Sequence, residues 1–275
     1  MTQLVQDKRP DLINVIETEA PKELGLIPAW SYSALKTYET CAYRSYISKV
    51  KRIQEDYGPA AARGSDIHQQ AEDYVRGDLK ELPDTLKKFQ SQFENMREGF
   101  INATVELEGE WGFTIDWERC GWMEKGVWAR VKLDAYIQET DTSARVIDYK
   151  TGRQYGNEIA HSQQALTYAI GSFLRYPDLE IAKTEMWYLD HGTTMEKTYT
   201  RDQAMMFLPK LQERAIAMTT ATKFPPNPSK NSCRWCSFGK GENPYCEWAI
   251  NCLLYTSDAA DDSLRVALGG RRIIK

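Results

Sequence analysis

Residues 146–150 read VIDYK and are followed by Thr151 and Gly152. Two β-branched residues and an aromatic residue favour a strand, and the Thr-Gly pair is a natural place for that strand to turn. Because side chains alternate along a strand, Asp148 and Lys150 share one face, about 7 Å apart. Such an aspartate can hold a divalent cation, and the lysine can position a water or stabilise charge on a phosphate. An isolated Asp-x-Lys is more often a surface ion pair, so the surrounding sequence must decide.

The composition is typical of a soluble globular protein with a sizeable core. The 275 residues are 42% hydrophobic and 27% charged, with a net charge of −4. No apolar run approaches the roughly 18–20 residues of a membrane helix, and the polar N-terminus is unlike a secretory signal. We therefore expect a cytoplasmic protein without membrane association. The negative net charge does not favour polyanion binding, so such a substrate would need local positive charge and metal ions.

Helical periodicity dominates the first hundred residues. Residues 1–28 contain three prolines and predict an extended N-terminal arm. Either Ser31 or Ser33 is a suitable N-cap, and apolar residues recur at helical spacing from there to Val50. This pattern predicts one amphipathic helix with Cys41 embedded in it. Further helices are predicted at 60–75, ending at Gly77, and at 84–105.

The middle of the chain changes to strand patterns. Alternation is clean from Val127 to Ile137, which predicts a strand with Asp134 on its polar face. A less regular alternation at 112–123 is joined to this strand by a turn at 124–126, and a polar loop at 139–143 leads to the strand at 145–150. Three antiparallel strands are therefore expected. Later predicted elements are a helix at 158–176, strands at 181–189 and 195–199, and a helix at 202–222 that Pro209 should kink or split. This order predicts an α/β fold with a mixed central sheet flanked by helices.

Several polar residues are expected close to Asp148. If the strand of Asp134 pairs with that of Asp148, two carboxylates meet and form an oxygen site suited to magnesium or manganese. His68 lies on a predicted helix, and Gln164 and Tyr168 are one turn apart on the helix after the central strand. Each feature alone has an ordinary explanation as a polar strand face, a structural histidine, a solvated amide or a core tyrosine. Their value as evidence lies in their combination and order.

In this order the motifs resemble the PD-(D/E)XK nuclease superfamily and specifically its RecB-like branch. That branch has a helical Arg-Gly-x-x-x-His motif, a first strand acid, an Asp-x-Lys-Thr-Gly motif and a Gln-x-x-x-Tyr motif. The matching residues here are Arg63, Gly64, His68, Asp134, Asp148, Lys150, Thr151, Gly152, Gln164 and Tyr168. Four ordered matches are far more specific than any one of them. The resemblance implies a restriction-endonuclease-like α/β fold.

The resemblance also implies a role for each residue in hydrolysing a phosphodiester. A bound Mg²⁺ or Mn²⁺ would make a water nucleophilic and compensate charge on the phosphorus. Lys150 would orient or activate that water, while Gln164 and Tyr168 would guide the DNA backbone and support Lys150. The implied metal ligands are His68, Asp134, Asp148 and the Tyr149 carbonyl, the catalytic residues Asp134, Asp148 and Lys150, and the substrate-binding residues Arg63, Gln164 and Tyr168.

The spacing of the six cysteines favours metal ligation over disulfides. Cys233 and Cys236 are two residues apart, which lets both thiolates reach one metal, and Cys246 follows in a glycine-containing stretch. RecB-like nucleases of the AddB type, and the CRISPR-associated nucleases that resemble them, bind a [4Fe–4S] cluster with one N-terminal and three C-terminal cysteines. This resemblance implies a cluster on Cys41, Cys233, Cys236 and Cys246, with Cys120 and Cys252 as bystanders. Zinc or no metal at all are the alternatives, since four thiolates suit zinc as well as iron.

The resemblance implies a nuclease domain over residues 29–252 between the arm at 1–28 and a tail at 253–275. The tail resembles peptides translated from sequencing-adapter read-through, which motivates the hypothesis that it is not part of the natural protein. A compact RecB-like domain with a terminal cluster implies a bacterial or phage-encoded DNA exonuclease in recombination, repair, phage replication or CRISPR adaptation. Its substrate would be DNA with a free end, and its partner a recombination protein or helicase.

Two other functions are compatible with the sequence. One is a structure-specific endonuclease or flap nuclease, which closed-circular DNA would distinguish from an exonuclease. The other is a non-catalytic DNA-binding subunit of a nuclease complex, against which the complete set of predicted metal ligands argues. No Walker-type phosphate-binding motif occurs, so the sequence has no sign of an ATP-driven helicase.

Overall fold

The computed structural model of this protein describes residues 23–239 and 245–249. Most of the predicted arm at 1–28 lies outside these residues. Cys252 and the predicted tail at 253–275 lie outside them entirely. Among the helices that are described, none is long and apolar enough to span a membrane.

The strands in the described ranges form two sheets. They are β1 (Trp30–Ser31), β2 (Val105–Leu107), β3 (Glu110–Phe113), β4 (Arg119–Cys120), β5 (Ala129–Lys132), β6 (Ala135–Thr140), β7 (Ser143–Lys150), β8 (Ile181–Tyr188) and β9 (Thr193–Thr200). One sheet has the order β2-β6-β7-β8-β9 and the other the order β1-β5-β3-β4. In the five-stranded sheet, β7 and β8 run parallel while the other neighbours are antiparallel, so this sheet is mixed.

Helices cover both faces of the five-stranded sheet. The α-helices within the described ranges are α1 (Tyr32–Thr40), α2 (Ala42–Ser45), α3 (Gly58–Arg76), α4 (Gln90–Ile101), α5 (Glu158–Arg175), α6 (Arg201–Met205), α7 (Leu208–Thr219) and α8 (Lys230–Cys233). Ile147 and Tyr149 of β7 belong to one core with residues of α3 and α4, whereas Val146 belongs to a second core with residues of α5 and α7. A central strand covered on both faces is buried throughout, as residues 146–149 are. The predicted α/β class, with mixed sheets flanked by helices, is confirmed.

The prediction of one continuous strand from Val127 to Ile137 is wrong. The chain leaves the four-stranded sheet after β5 and enters the five-stranded sheet at β6. The link between β2 and β3 changes sheets at the same point and holds the break, because the Leu133 amide donates to the Gly109 carbonyl and the Glu108 amide donates to the Asp134 carbonyl. A local alternation pattern carries no information about which sheet each half of a strand joins.

The predicted helix from Ser31 to Val50 is interrupted. Ser31 does cap α1, but Cys41 is extended, with φ −159° and ψ 106°, and a π-helical turn at Tyr46–Val50 follows α2. Asn227 stabilises the break, because its side-chain amide donates to the Thr40 carbonyl and its main-chain N–H lies 3.4 Å from the Cys41 sulfur. The interruption of the helix at Cys41 therefore has a tertiary cause, since Asn227 is distant in the sequence.

Other helix boundaries follow local signals more closely. The positive φ of Gly77, 98°, ends α3 at the predicted residue. The helix predicted at 84–105 begins as a 3₁₀ helix at Asp84–Phe89 and continues as α4. The helix predicted at 202–222 divides into α6 and α7 just before Pro209, as expected because proline cannot donate a helical hydrogen bond.

Candidate active site

The antiparallel pairing of β6 with β7 brings two aspartates together. Ala135 pairs with Ile147, so Asp134, one residue before β6, stands opposite Asp148. The Asp134 Oδ2 accepts a hydrogen bond from the main-chain N–H of Tyr149 at 2.5 Å. The interruption of the strand between β5 and β6 therefore keeps the Asp134 carboxylate beside β7.

His68 approaches this carboxylate from α3. Its Nδ1 lies 3.0 Å from Asp134 Oδ1, and its ring stands edge-on to the Tyr149 ring. Burial alone would lower the pKa of His68, but the hydrogen bond and charge of Asp134, with the charge of Asp148, raise it above its usual value. Burial raises the pKa of Asp134, and the His68 hydrogen bond opposes that rise. The two groups thus share a hydrogen bond that ties His68 to Asp134.

Asp148 is the centre of a hydrogen-bond network with α5. Tyr168 donates its hydroxyl to Asp148 Oδ1 at 2.6 Å, and Gln164 Nε2 lies 3.1 Å from the same oxygen. Lys150 Nζ donates to Gln164 Oε1 at 3.0 Å and lies 2.5 Å from Asp148 Oδ2. Burial and the charge of Asp148 hold the pKa of Tyr168 well above its usual value, so its hydroxyl stays a donor. The network fixes the carboxylate and the lysine relative to each other.

The donor set fits a hard divalent cation. Within the described ranges, Asp148 Oδ2 is buried without a hydrogen bond of good geometry, and its close neighbour is the Lys150 ammonium. A buried carboxylate oxygen with spare acceptor capacity is what a metal ion would complete. The described residues contain no preformed group of three or more His, Cys, Asp or Glu ligands. Both Asp134 oxygens already face protein donors, which a metal would have to displace.

The other motif residues of α3 hold the site together from outside the carboxylate cluster. Arg63 forms a bidentate ion pair with Asp190, with distances of 2.7 and 2.9 Å. Its predicted role as a DNA contact stays a prediction, and in this structure the guanidinium pairs with Asp190 just beyond the end of β8. At Gly64, an added Cβ would lie 3.1 Å from Thr151 Oγ1, so glycine lets α3 pack closely on the turn after β7.

All four predicted cluster cysteines line one cavity. Cys41 lies at the break after α1, Cys233 ends α8, and Cys236 and Cys246 are buried nearby. The cavity measures about 20 Å³, which is space for about one water. The four sulfurs as they stand do not form a group that could hold a metal ion, so a zinc ion or a four-iron cluster would each need them to move. Cys120 lies on β4 and does not line the cavity.

Main-chain amides point at the cavity sulfurs. Asn227 N–H lies 3.4 Å from Cys41 Sγ. Burial raises the pKa of the Cys236 thiol, and a hydrogen bond from the Phe238 main chain opposes this. Burial likewise raises the pKa of Cys246, opposed by main-chain hydrogen bonds at residues 248 and 249. Amide donors to sulfur stabilise thiolates, as metal ligation requires.

The sequence did not reveal two residues beside Lys150. Tyr188 pairs in register with Lys150 across the parallel strands β7 and β8, and its hydroxyl lies 2.7 Å from His161 Nδ1. His161 stands one turn before Gln164 on α5, which is the only sequence signal that could have placed it near the site.

Comparison with known proteins agrees with this geometry. A model of the PD-(D/E)XK nuclease superfamily matches residues 29–240, and the chain belongs to this superfamily. Its members are generally nucleases and typically use divalent metals such as Mg²⁺. No curated protein matched the chain. Among solved structures, one reported as "Crystal structure of SSO0001" is 18% identical, with a TM-score of 0.41 over 81% of this chain and 87% of that chain.

Proposed function

We propose that this protein is a RecB-like, metal-dependent deoxyribonuclease that degrades DNA from a free end. The observation that carries the proposal is the meeting of Asp134 and Asp148 at adjacent strands, with His68 bound to the first and Lys150 to the second. A surface ion pair would not need a buried carboxylate held by two further donors, Tyr168 and Gln164. The family places this chemistry among phosphodiester hydrolases.

The proposed metal ligands are His68, Asp134, Asp148 and the main-chain carbonyl of Tyr149. An imidazole with two carboxylates and a carbonyl suits Mg²⁺ or Mn²⁺ and leaves positions for water and phosphate. When bound, such an ion would make a water ligand more acidic and neutralise charge on the phosphate.

Lys150 is the proposed catalytic residue that contacts the attacking water. Its amine is held between Asp148 and Gln164, so it faces the site in one orientation without first having to be ordered. A positioned ammonium stabilises negative charge as it develops on the phosphorane oxygens. Gln164 and Tyr168 orient Asp148 and Lys150, and we assign them contact with the DNA backbone as well.

Arg63 is better explained as a positioning residue than as a substrate contact. Its bidentate pair with Asp190 ties the start of α3 to the turn between β8 and β9. The same helix carries His68 into the site, so the pair sets the distance between His68 and the sheet.

We also propose that Cys41, Cys233, Cys236 and Cys246 ligate a [4Fe–4S] cluster, with zinc as the alternative. The shared cavity and the amide donors to sulfur support a thiolate site, but they do not distinguish the two metals. Protein purified without oxygen should be brown and contain iron and sulfide. Colourless protein with one equivalent of zinc would select the alternative, and metal-free protein would contradict both.

Nuclease activity is tested with end-labelled single-stranded, duplex and closed-circular DNA in Mg²⁺ or Mn²⁺. An exonuclease degrades the ended substrates and spares the circle, whereas cleavage of the circle would indicate an endonuclease or flap nuclease. Binding without cleavage of any substrate would instead favour a non-catalytic subunit. The proposed setting is the cytoplasm of a bacterium or phage-infected host, in recombination, repair, phage replication or CRISPR adaptation with a helicase or recombination partner.

A further inference from the structure

A second polar group adjoins the catalytic network on the side of α5. His161 Nδ1 lies 2.7 Å from the hydroxyl of Tyr188. Tyr188 is fully buried and pairs in register with Lys150, so both side chains leave the sheet on the same face. The imidazole is partly exposed and close enough to Lys150 for the charge of that lysine to act on it. Nothing in the proposed hydrolysis uses it.

Helix α1 brings a lysine to the same place. The Tyr32 hydroxyl donates to the carbonyl of Ala160, the residue before His161, at 2.6 Å. Lys36 follows Tyr32 by four residues and therefore lies on the same face of α1, towards α5. It is exposed, and no described acidic residue forms an ion pair with it. The nearby Glu39 is already held by two hydrogen bonds of 2.7 Å from Arg214.

The electrostatics of these groups favour an anion between them. Burial and then the charge of Lys150 lower the pKa of Lys36. Burial, followed by the charge of Lys150, also lowers the pKa of His161 to about 4, with Lys36 adding to the effect and Asp148 and Glu158 opposing it. Lys36 and Lys150 thus act on the same imidazole, and a bound anion would relieve their repulsion.

We propose that Lys36 and His161 form a phosphate-binding subsite next to the catalytic centre, which holds a neighbouring phosphodiester of the DNA strand being cut. This inference rests on the proposed nuclease function. If His161 Nδ1 accepts the Tyr188 hydroxyl hydrogen, the neutral imidazole carries its own proton on Nε2 and donates it to the phosphate. Lys36 adds a charge-assisted hydrogen bond from the opposite helix.

The subsite also gives α1 a place in substrate binding. Lys36 lies on α1 five residues before Cys41. Cys41 follows the C-terminal end of α1 and lines the cysteine cavity. Displacement of Cys41 would therefore disturb the proposed substrate contact of Lys36 as well as the cysteine site. This explains physically how the cysteine site could influence DNA affinity without touching the catalytic carboxylates.

The test compares Lys36→Met and His161→Ala with Lys36→Arg and with Lys87→Ala, a control that removes an exposed lysine paired with Asp84. DNA affinity is measured by fluorescence anisotropy in Ca²⁺ over a salt series, and kcat and KM in Mn²⁺. We expect Lys36→Met to raise Kd and KM about tenfold, with kcat within about threefold of wild type, and to reduce the salt slope by about one. Lys36→Arg should retain most of the affinity.

Oligonucleotides with a single methylphosphonate then locate the contact. A neutral linkage next to the scissile phosphate should weaken wild-type binding and abolish the difference between wild type and Lys36→Met. If Lys36→Met matches Lys87→Ala in Kd and salt slope, the inference is wrong. If wild-type protein binds DNA but cleaves none in Mg²⁺ or Mn²⁺, the nuclease function is rejected instead. The binding measurements would still decide whether the subsite exists. Because Lys36 is exposed, its variants should fold even if His161→Ala does not.

Discussion

The carboxylate cluster and the cysteine cavity differ in how their polar groups are satisfied. Around Asp134 and Asp148, each carboxylate has protein donors from regular elements, among them Tyr168 at 2.6 Å. The cavity sulfurs instead lie where helices break or end, and burial raises the pKa of Cys236 and Cys246. The carboxylate cluster can therefore form as the sheet assembles, whereas the stability of the cysteine cavity depends on what its sulfurs bind. Metal removal should stop catalysis at the first region and loosen the fold at the second.

The largest expected effect separates the two regions by activity. Lys150→Ala removes the cation held by Asp148 and Gln164, and Asp134→Ala removes a proposed metal ligand. Each should lower the rate of DNA cleavage by at least roughly 10²–10³-fold, as loss of a positioned electrostatic group does. Metal content at the cysteines should be unchanged in both. Cleavage assays with Lys87→Ala as control check this, and wild-type rates in either variant would reject the site.

The second expected effect is on stability and metal content. Cys41→Ser or Cys233→Ser should release the bound metal and lower the melting temperature, because metal-binding free energy is also folding free energy. The matched control is Cys120→Ser, which changes a cysteine outside the cavity. Elemental analysis and thermal unfolding are the measurements. Equal metal content and melting temperature in all three variants would show that the cavity binds nothing.

A smaller effect on stability and activity is expected when a single hydroxyl is removed from the carboxylate cluster. Tyr168→Phe deletes the 2.6 Å hydrogen bond to Asp148 Oδ1 and leaves a buried carboxylate with one fewer donor. We expect a loss of about 1–3 kcal/mol in the free energy of unfolding, together with a lower kcat. Urea unfolding beside Tyr38→Phe, whose hydroxyl makes a longer contact of 3.3 Å, measures the difference. Two indistinguishable variants would mean that the network does not support Asp148.

The smallest effect distinguishes positioning from substrate binding. Arg63→Ala and Asp190→Asn break the same ion pair, so a positioning role predicts the same severalfold drop in kcat for both, with KM unchanged. A DNA contact by Arg63 predicts a higher KM for Arg63→Ala alone. Steady-state kinetics at two salt concentrations separate these results, since a lost phosphate contact also reduces the salt dependence.

Local patterns predicted much of this molecule because their causes are local. Ser31 caps α1 with its own side chain, Gly77 ends α3 with a positive φ, and Pro209 prevents a continuous last helix. Strand alternation placed Asp148 and Lys150 on one face, and helical spacing paired Gln164 with Tyr168. The grouping of His68 and Asp134 with these residues came from the family resemblance. The structure brings His68, Asp134, Asp148, Lys150, Gln164 and Tyr168 into one network. Their catalytic roles stay predictions.

Sequence reasoning failed where two distant segments decide the outcome. The break at Cys41 depends on Asn227, and the division between β5 and β6 depends on the link between β2 and β3. In the alternation from Val127 to Ile137, Trp128 and Tyr136 share the face of Asp134, yet both are buried in aromatic clusters. A period-two pattern does not show that both sides of a strand are covered.

The VIDYK stretch shows this division at the scale of one strand. Its residue types alone predict a strand with an acid and a lysine on one face, because β-branching and alternation act within the strand. Which groups meet that face is a property of the assembled sheet and helices. Register places Asp134 opposite Asp148 and Tyr188 beside Lys150, and helix packing adds His161. Those contacts depend on hydrogen bonds between segments far apart in the chain, and no local pattern encodes them.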